Sequence, residues 1–209
     1  MVFLQLFREK HSNAPAMSWK VQFTNWDEAL QMAEKGDYDG VLGAYQNEER
    51  TKTFDFTDPI TTNQEVFFAK KGSDISYQKV EDLKEYKIGA LKGGAEGQEL
   101  KEKGLNVEES DNELSNFKKL EKGGLGLCLF GKQNYNYQVS TSPEWKSLKD
   151  SVEMIDPPFK TYELFCALTK KRKDSVEIVQ KFNEALQSMK SDGSYNAILK
   201  RFNQEKPQS

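Results

Sequence analysis

Short apolar runs alternate along this chain with segments of helical period that stop at glycine, and that alternation points to the α/β class rather than to a bundle or a sandwich. Gly40-Val41-Leu42-Gly43-Ala44, residues 86–91 and residues 125–130 read as strands, with shorter ones expected at 20–23 and 107–110. Between them, a helix with Trp26, Ala29, Leu30 and Ala33 on one face stops at Gly36, a second spans 96–103 before Gly104, and a third spans 113–122 before Gly123-Gly124. Residues 134–145 read as partly helical with Pro143 as their limit, and Asp156-Pro157-Pro158 breaks the pattern. Residues 174–190 form the clearest helix, with Val176, Val179, Phe182, Leu186 and Met189 as its stripe and Asp174 and Glu177 at capping-box spacing. A helical start at 2–10, a loop carrying His11, a short helix at 195–202 and a disordered tail at 203–209 complete the expectation. Two longer extended segments, 65–70 and 162–169, read as crossings between lobes. They divide the chain into a discontinuous first lobe, 1–68 plus 166–209, and a continuous second lobe, 69–165.

A net charge of -3 spread over 209 residues argues against nucleic acid or an anionic membrane as partner. The densest basic run, Lys170-Lys171-Arg172-Lys173, reads as a solvated turn before a helix. No apolar run reaches the length of a membrane span, and residues 1–7 are too short for a signal peptide and carry no cleavage site. Cys128 and Cys166 lie in apolar runs, which favours free buried thiols. With a single histidine, no Ser-His-Asp order and no metal-ligand spacing, the chain is expected to be no enzyme and to hold no metal or cofactor.

Arg50 stands out because it follows a buried strand, and such strands deliver the next loop to the sheet edge where α/β folds bind ligands. A guanidinium fork there can grip a carboxylate in bidentate geometry. The alternative is that Arg50 pairs with Glu48, Glu49 or Asp55 on a solvated turn.

The ordered set Trp26-Asp27-Glu28-Ala29-Leu30, Gly36-Asp37-Tyr38-Asp39, Glu49-Arg50 and Phe54-Asp55-Phe56-Thr57-Asp58-Pro59 resembles the first lobe of bacterial extracellular solute-binding proteins, family 3. Glu81-Asp82-Leu83, Ile88-Gly89, Gly93, Leu120 with Gly123, Asn183 with Ala185-Leu186, and Gly193-Ser194-Tyr195 with Ile198 extend the match over residues 21–202. The resemblance implies a two-lobe, type II periplasmic-binding fold, each lobe a mixed sheet flanked by helices. It further implies a periplasmic receptor that captures a small polar ligand, an amino acid or another small carboxylate, for a membrane ABC permease. A sensor or vestigial binding domain, or a dehydratase-like enzyme, are the alternatives on the same fold.

By that resemblance the ligand contacts fall on Gly43, Ala44, Tyr45 and Arg50 in the first lobe and on Gly94, Ala95, Glu96, Gly131 and Lys132 in the second, with Arg50 on the ligand's carboxylate. Three departures matter. Gly43-Ala44-Tyr45 replaces small hydroxyl residues, and Gly93-Gly94-Ala95-Glu96 leaves only backbone amides where a threonine or serine is usual. Gly131 stands where an acid pairs with the ligand's ammonium, which turns the expectation toward a carboxylate that is not an α-amino acid. Either Glu96 supplies the missing charge or Lys132 suits the site to an acidic ligand. Entering partway along the family's first helix, the chain is expected to lack the first strand, and a homodimer would cover the exposed lobe-1 edge.

Overall fold

The computed structural model describes residues 19–201; the expected helix at 2–10, His11 and the tail at 203–209 lie outside them. The described elements alternate as expected: α1 (Trp26–Lys35), β1 (Gly40–Ala44), α2 (Glu48–Thr53), β2 (Phe54–Phe56), β3 (Thr61–Lys70), a 3-10 turn (Val80–Leu83), β4 (Lys87–Leu91), α3 (Ala95–Glu102), β5 (Asn106–Ser110), α4 (Glu113–Glu121), β6 (Leu127–Gly131), α5 (Lys132–Thr141), α6 (Pro143–Lys146), β7 (Val152–Thr169), α7 (Ser175–Ser191) and α8 (Ser194–Arg201). The strands order as β1-β7-β3-β6-β4-β5, with β2 also beside β7. β4 runs parallel to β5 and β6 while the other pairs are antiparallel, which makes the sheet mixed.

Helices cover both faces. At the β1 end, Leu30 and Ala33 of α1 pack on Val41, Phe54 and Ala167, while Ile178, Phe182 and Leu186 of α7 pack on Ile60, Cys166 and Leu168 from the other side. At the β5 end, successive residues of β3 serve opposite faces, as the pleat requires. Phe68 meets Phe117, Tyr135 and Trp145, whereas Phe67 meets Leu83, Ile88 and Leu127. Cys128 and Cys166 are buried and free.

Gly40 fixes how closely β1 approaches β7, because a Cβ there would stand 2.2 Å from the Ala167 carbonyl oxygen. Gly40→Ala is expected to destabilise the fold by about 1–3 kcal/mol, read as a lower urea midpoint with unchanged slope.

Several local expectations are corrected. Residues 19–25 form no strand: Val21 and Phe23 are 42% and 73% exposed, and no ladder satisfies that segment. The prolines at 157 and 158 do not end β7; its register with β3 slips between Glu65/Lys160 and Phe67/Ile155, so the residues around the prolines have no ladder bonds to lose. Pro143 opens α6 rather than merely closing α5. The buried stripe of α7 runs through Ile178, Phe182, Ala185 and Met189, and Val176 is 59% exposed. Asp174 makes no side-chain cap because Arg172 holds it, Nη2 donating to Oδ2 at 2.9 Å.

Candidate functional site

Arg50 sits in a helix, not in a loop. The side chain of Asn47 accepts a hydrogen bond from Arg50 N at 2.8 Å and so caps the short α2 directly after β1. The guanidinium thereby turns inward, and Arg50 as a whole is only 7% exposed. Its Nη1 donates to the Tyr45 carbonyl at 2.7 Å and its Nη2 to the Gly93 carbonyl at 2.8 Å, with the Trp26 ring centroid 5.6 Å away. Trp26 Nε1 donates to the same Gly93 oxygen at 3.2 Å, and Lys92 pairs with Asp27 at 2.9 Å. These contacts draw the β4–α3 loop against α1 and α2. Pairing of Arg50 with Asp55 on a solvated turn is excluded, since Asp55 instead accepts from Ser175 Oγ at 2.6 Å.

A cavity of about 300 Å³ opens beside the guanidinium, and three carboxyl groups, Glu65, Glu96 and Glu113, line it with Arg50. Glu65 is 4% exposed; its Oε1 accepts from Tyr45 Oη at 2.5 Å and from Asn63 Nδ2 at 3.1 Å. Asn63 Nδ2 also donates to Tyr45 Oη at 2.8 Å, while Asn63 Oδ1 is buried without a donor. The Tyr45 ring stacks on Tyr162 at 4.4 Å, which fixes the phenol against the carboxyl. Glu96 folds back over Gly94, where a Cβ would lie 2.3 Å from its Oε1, and its carboxylate takes its own backbone N–H at the start of α3.

Burial pushes the Glu65 carboxyl up to about 8, helped by the charge of Glu96. Burial likewise pushes Glu96 up to about 7, against the pull of its own N–H and of Arg50, and raises Glu113. Burial and the two nearby carboxylates hold the Tyr45 phenol far above its usual range, so it stays a hydrogen-bond donor. Both shifted carboxyls keep protons in the fold at pH values where the unfolded chain, with carboxyls near 4.5, has released them. The native state therefore binds more protons, and stability of the empty protein is expected to fall as pH rises through 7 and 8. Melting curves from about pH 5 to about pH 9 should show that decline, and Glu65→Gln should flatten it.

Of the residues expected from sequence, Gly43, Tyr45, Arg50 and Glu96 line the cavity. Gly94 and Ala95 form the first turn of α3. Ala44 packs in the core with Leu30 and Phe54, and Lys132 is exposed, so neither lines this cavity. Gly131 faces Asn63, whose Nδ2 would stand 2.1 Å from a Cβ. Sequence reasoning missed Trp26, Glu65 and Glu113 among the lining residues, and Asn63, whose amide holds Tyr45 and Glu65. The signal available was Asn63 and Glu65, two polar residues at strand spacing and so on one face of a strand that continues into the apolar run 66–69.

The family model of bacterial extracellular solute-binding proteins, family 3, matches residues 10–205. The chain belongs to that family. This family 3 protein is 30% identical over 190 residues to the ABC transporter glutamine-binding protein GlnH of Bacillus subtilis, covering 85% of this chain and 62% of the relative. It is 24% identical over 182 residues to the L-cystine-binding protein TcyJ of Escherichia coli, covering 86% of this chain and 65% of the relative. The chain thus spans less than two thirds of the length of these two curated relatives. Among solved structures, an ancestral arginine-binding protein bound to arginine superposes with a TM-score of 0.73 at 27% identity, over 88% of this chain and 79% of that one. A histidine kinase sensor domain similar to periplasmic binding proteins gives a TM-score of 0.80 at 21% identity, over 96% and 84%, and shows the shared fold. The architecture is that of the type II periplasmic binding proteins.

Proposed function

We propose that this family 3 protein captures a small amino-acid-like ligand, bearing both a carboxylate and an ammonium group, and presents it to an ABC-type importer. The ligand lies between two lobes, 1–68 plus 166–209 and 69–165, which close by bending where β3 and β7 cross. The observation that carries this reading is the Arg50 fork, buried at the cavity and held by two main-chain carbonyls from different loops rather than by an acidic side chain. A ligand carboxylate can take the place of such neutral acceptors and gain a charge-assisted pair. The three carboxyl groups that line the same cavity suit a cationic group, which supports an amino acid over the non-amino carboxylate that Gly131 suggested. Relatives named for binding glutamine, cystine and arginine agree in ligand class. The site needs only differential affinity for the closed state, so binding proceeds without turnover.

On this reading the protein works in the periplasm or outside the cell, as its family does. Among the described residues no strand covers the outer edge of β1, and pairing of two copies there remains part of the reading, to be checked by light scattering. The main test is calorimetric titration with the twenty L-amino acids and L-cystine. Saturable binding of at least one is expected; heats and melting temperatures unmoved by all of them would refute the assignment.

A further inference from the structure

We propose that Glu65, on β3, is the group that receives the ligand's ammonium, acting from across the β3–β6 ladder in place of a side chain at Gly131. This rests on the amino-acid reading above and adds to it the residue that sets the preference for an amine.

Glu65 and Gly131 are direct partners in the antiparallel register, and directly opposed residues project to the same face of a sheet. Glu65 thus presents an acid from the neighbouring strand on the face that a side chain at position 131 would share, and it lines the cavity. The position opposite is closed to any side chain, because the Asn63 amide fills the space a Cβ at Gly131 would need. Asn63 and Glu65 lie two apart on β3 and share that face, so both belong to one arrangement.

The bonding of the cluster points to a donor-bearing cation. Tyr45 and Asn63 both donate to Oε1 of Glu65, which fixes the carboxyl and leaves its other oxygen out of these bonds, on a residue that lines the cavity. An ammonium displaces the proton that Glu65 otherwise holds and pairs its charge with the carboxylate oxygen that Tyr45 and Asn63 leave free. Among the described residues no three Asp, Glu, His or Cys side chains converge closely enough to hold a metal ion.

The other two acids are less suited. Glu96 is curled onto the N-terminus of its own helix, where its carboxylate is already served, and Arg50 lies near it. Glu113 opens α4 and keeps partial solvent contact. Glu65 alone is held on a central strand by two donors and a stacked phenol, the rigid placement that discriminates an amine from its absence.

The probes are the twenty L-amino acids and L-cystine and, for each one bound, the same molecule without its α-amino group. The wild-type protein is expected to prefer the amino form by at least about thirtyfold, the scale on which one partner of a buried charge pair counts. Glu65→Gln keeps an oxygen for Tyr45 and Asn63 and should reduce that preference to within about threefold, whereas Glu65→Asp should retain part of it. The triple variant Glu65→Gln, Asn63→Ala, Gly131→Asp places the acid on the opposite strand with room made for it, and should restore the preference; circular dichroism confirms that each variant is folded. Glu65→Gln with an undiminished preference overturns this inference alone. A wild-type protein that binds no amino acid overturns both it and the reading on which it rests.

Discussion

Arg50→Ala is expected to weaken ligand capture by about 30- to 5,000-fold, because removing one partner of a buried, hydrogen-bonded charge pair costs about 2–5 kcal/mol. The loss has two sources in the structure. On the proposed reading the ligand carboxylate would lose its fork, and the link from Tyr45 O through the guanidinium to Gly93 O is cut, so the β4–α3 loop is no longer drawn toward α2. Arg50→Lys separates them: it keeps a charge but presents a point donor in place of a planar pair, and should fall between wild type and alanine. Titration calorimetry reads both. A wild-type affinity in Arg50→Ala would place the carboxylate elsewhere.

The largest loss of stability is expected at the centre of the β5 end. Phe68 is fully buried, with the Phe117 and Tyr135 rings at 5.0 Å and 4.5 Å, and Phe117 in turn meets Trp145 at 5.0 Å. Truncating a buried phenylalanine leaves a ring-sized void that rigid neighbours cannot fill, at about 3–5 kcal/mol. For a chain of this size each kcal/mol lowers the melting temperature by about 2–4 °C, so Phe68→Ala should melt roughly 6–20 °C lower. The double variant with Phe117→Ala should cost less than the two single losses together, since each removes contacts the other also needs. Tyr137, 60% exposed, is the contrast: its alanine variant should stay within about 0.5 kcal/mol of wild type.

How far the sequence reveals this molecule depends on whether the determining interaction is local. Helix ends at Gly36 and Gly104 were legible because a glycine with positive φ, +90 and +78, is a local requirement. Buried strands such as β1 and β6 were legible because their apolar runs are too short for helices. By contrast, the run of β7 through two prolines depends on a register slip against β3, which no local rule contains. The absence of a strand at 20–23 depends on what lies beside it, although its composition is that of a strand.

The site divides the same way. Arg50 could be picked out by its place after β1, yet its burial follows from a cap at Asn47 that converts an expected loop into a helical turn. Glu65 was read as the start of an extended crossing because a single glutamate in a strand is unremarkable. Its meaning comes from Gly131, 66 positions away, and only the ladder brings the two together.

The carbonyl oxygen of Gly93 has a consequence of its own. It accepts from Arg50 and Trp26 at once, so the backbone already satisfies the groups that a carboxylate would use. An arriving anion exchanges one set of acceptors for another and gains only the difference between them. On the proposed reading the cleft therefore acts as a comparator, in which a ligand is weighed against the protein's own backbone and gains most by engaging both ends together. Selectivity would then be set by the backbone bonds of Arg50 and Trp26 that a ligand has to replace.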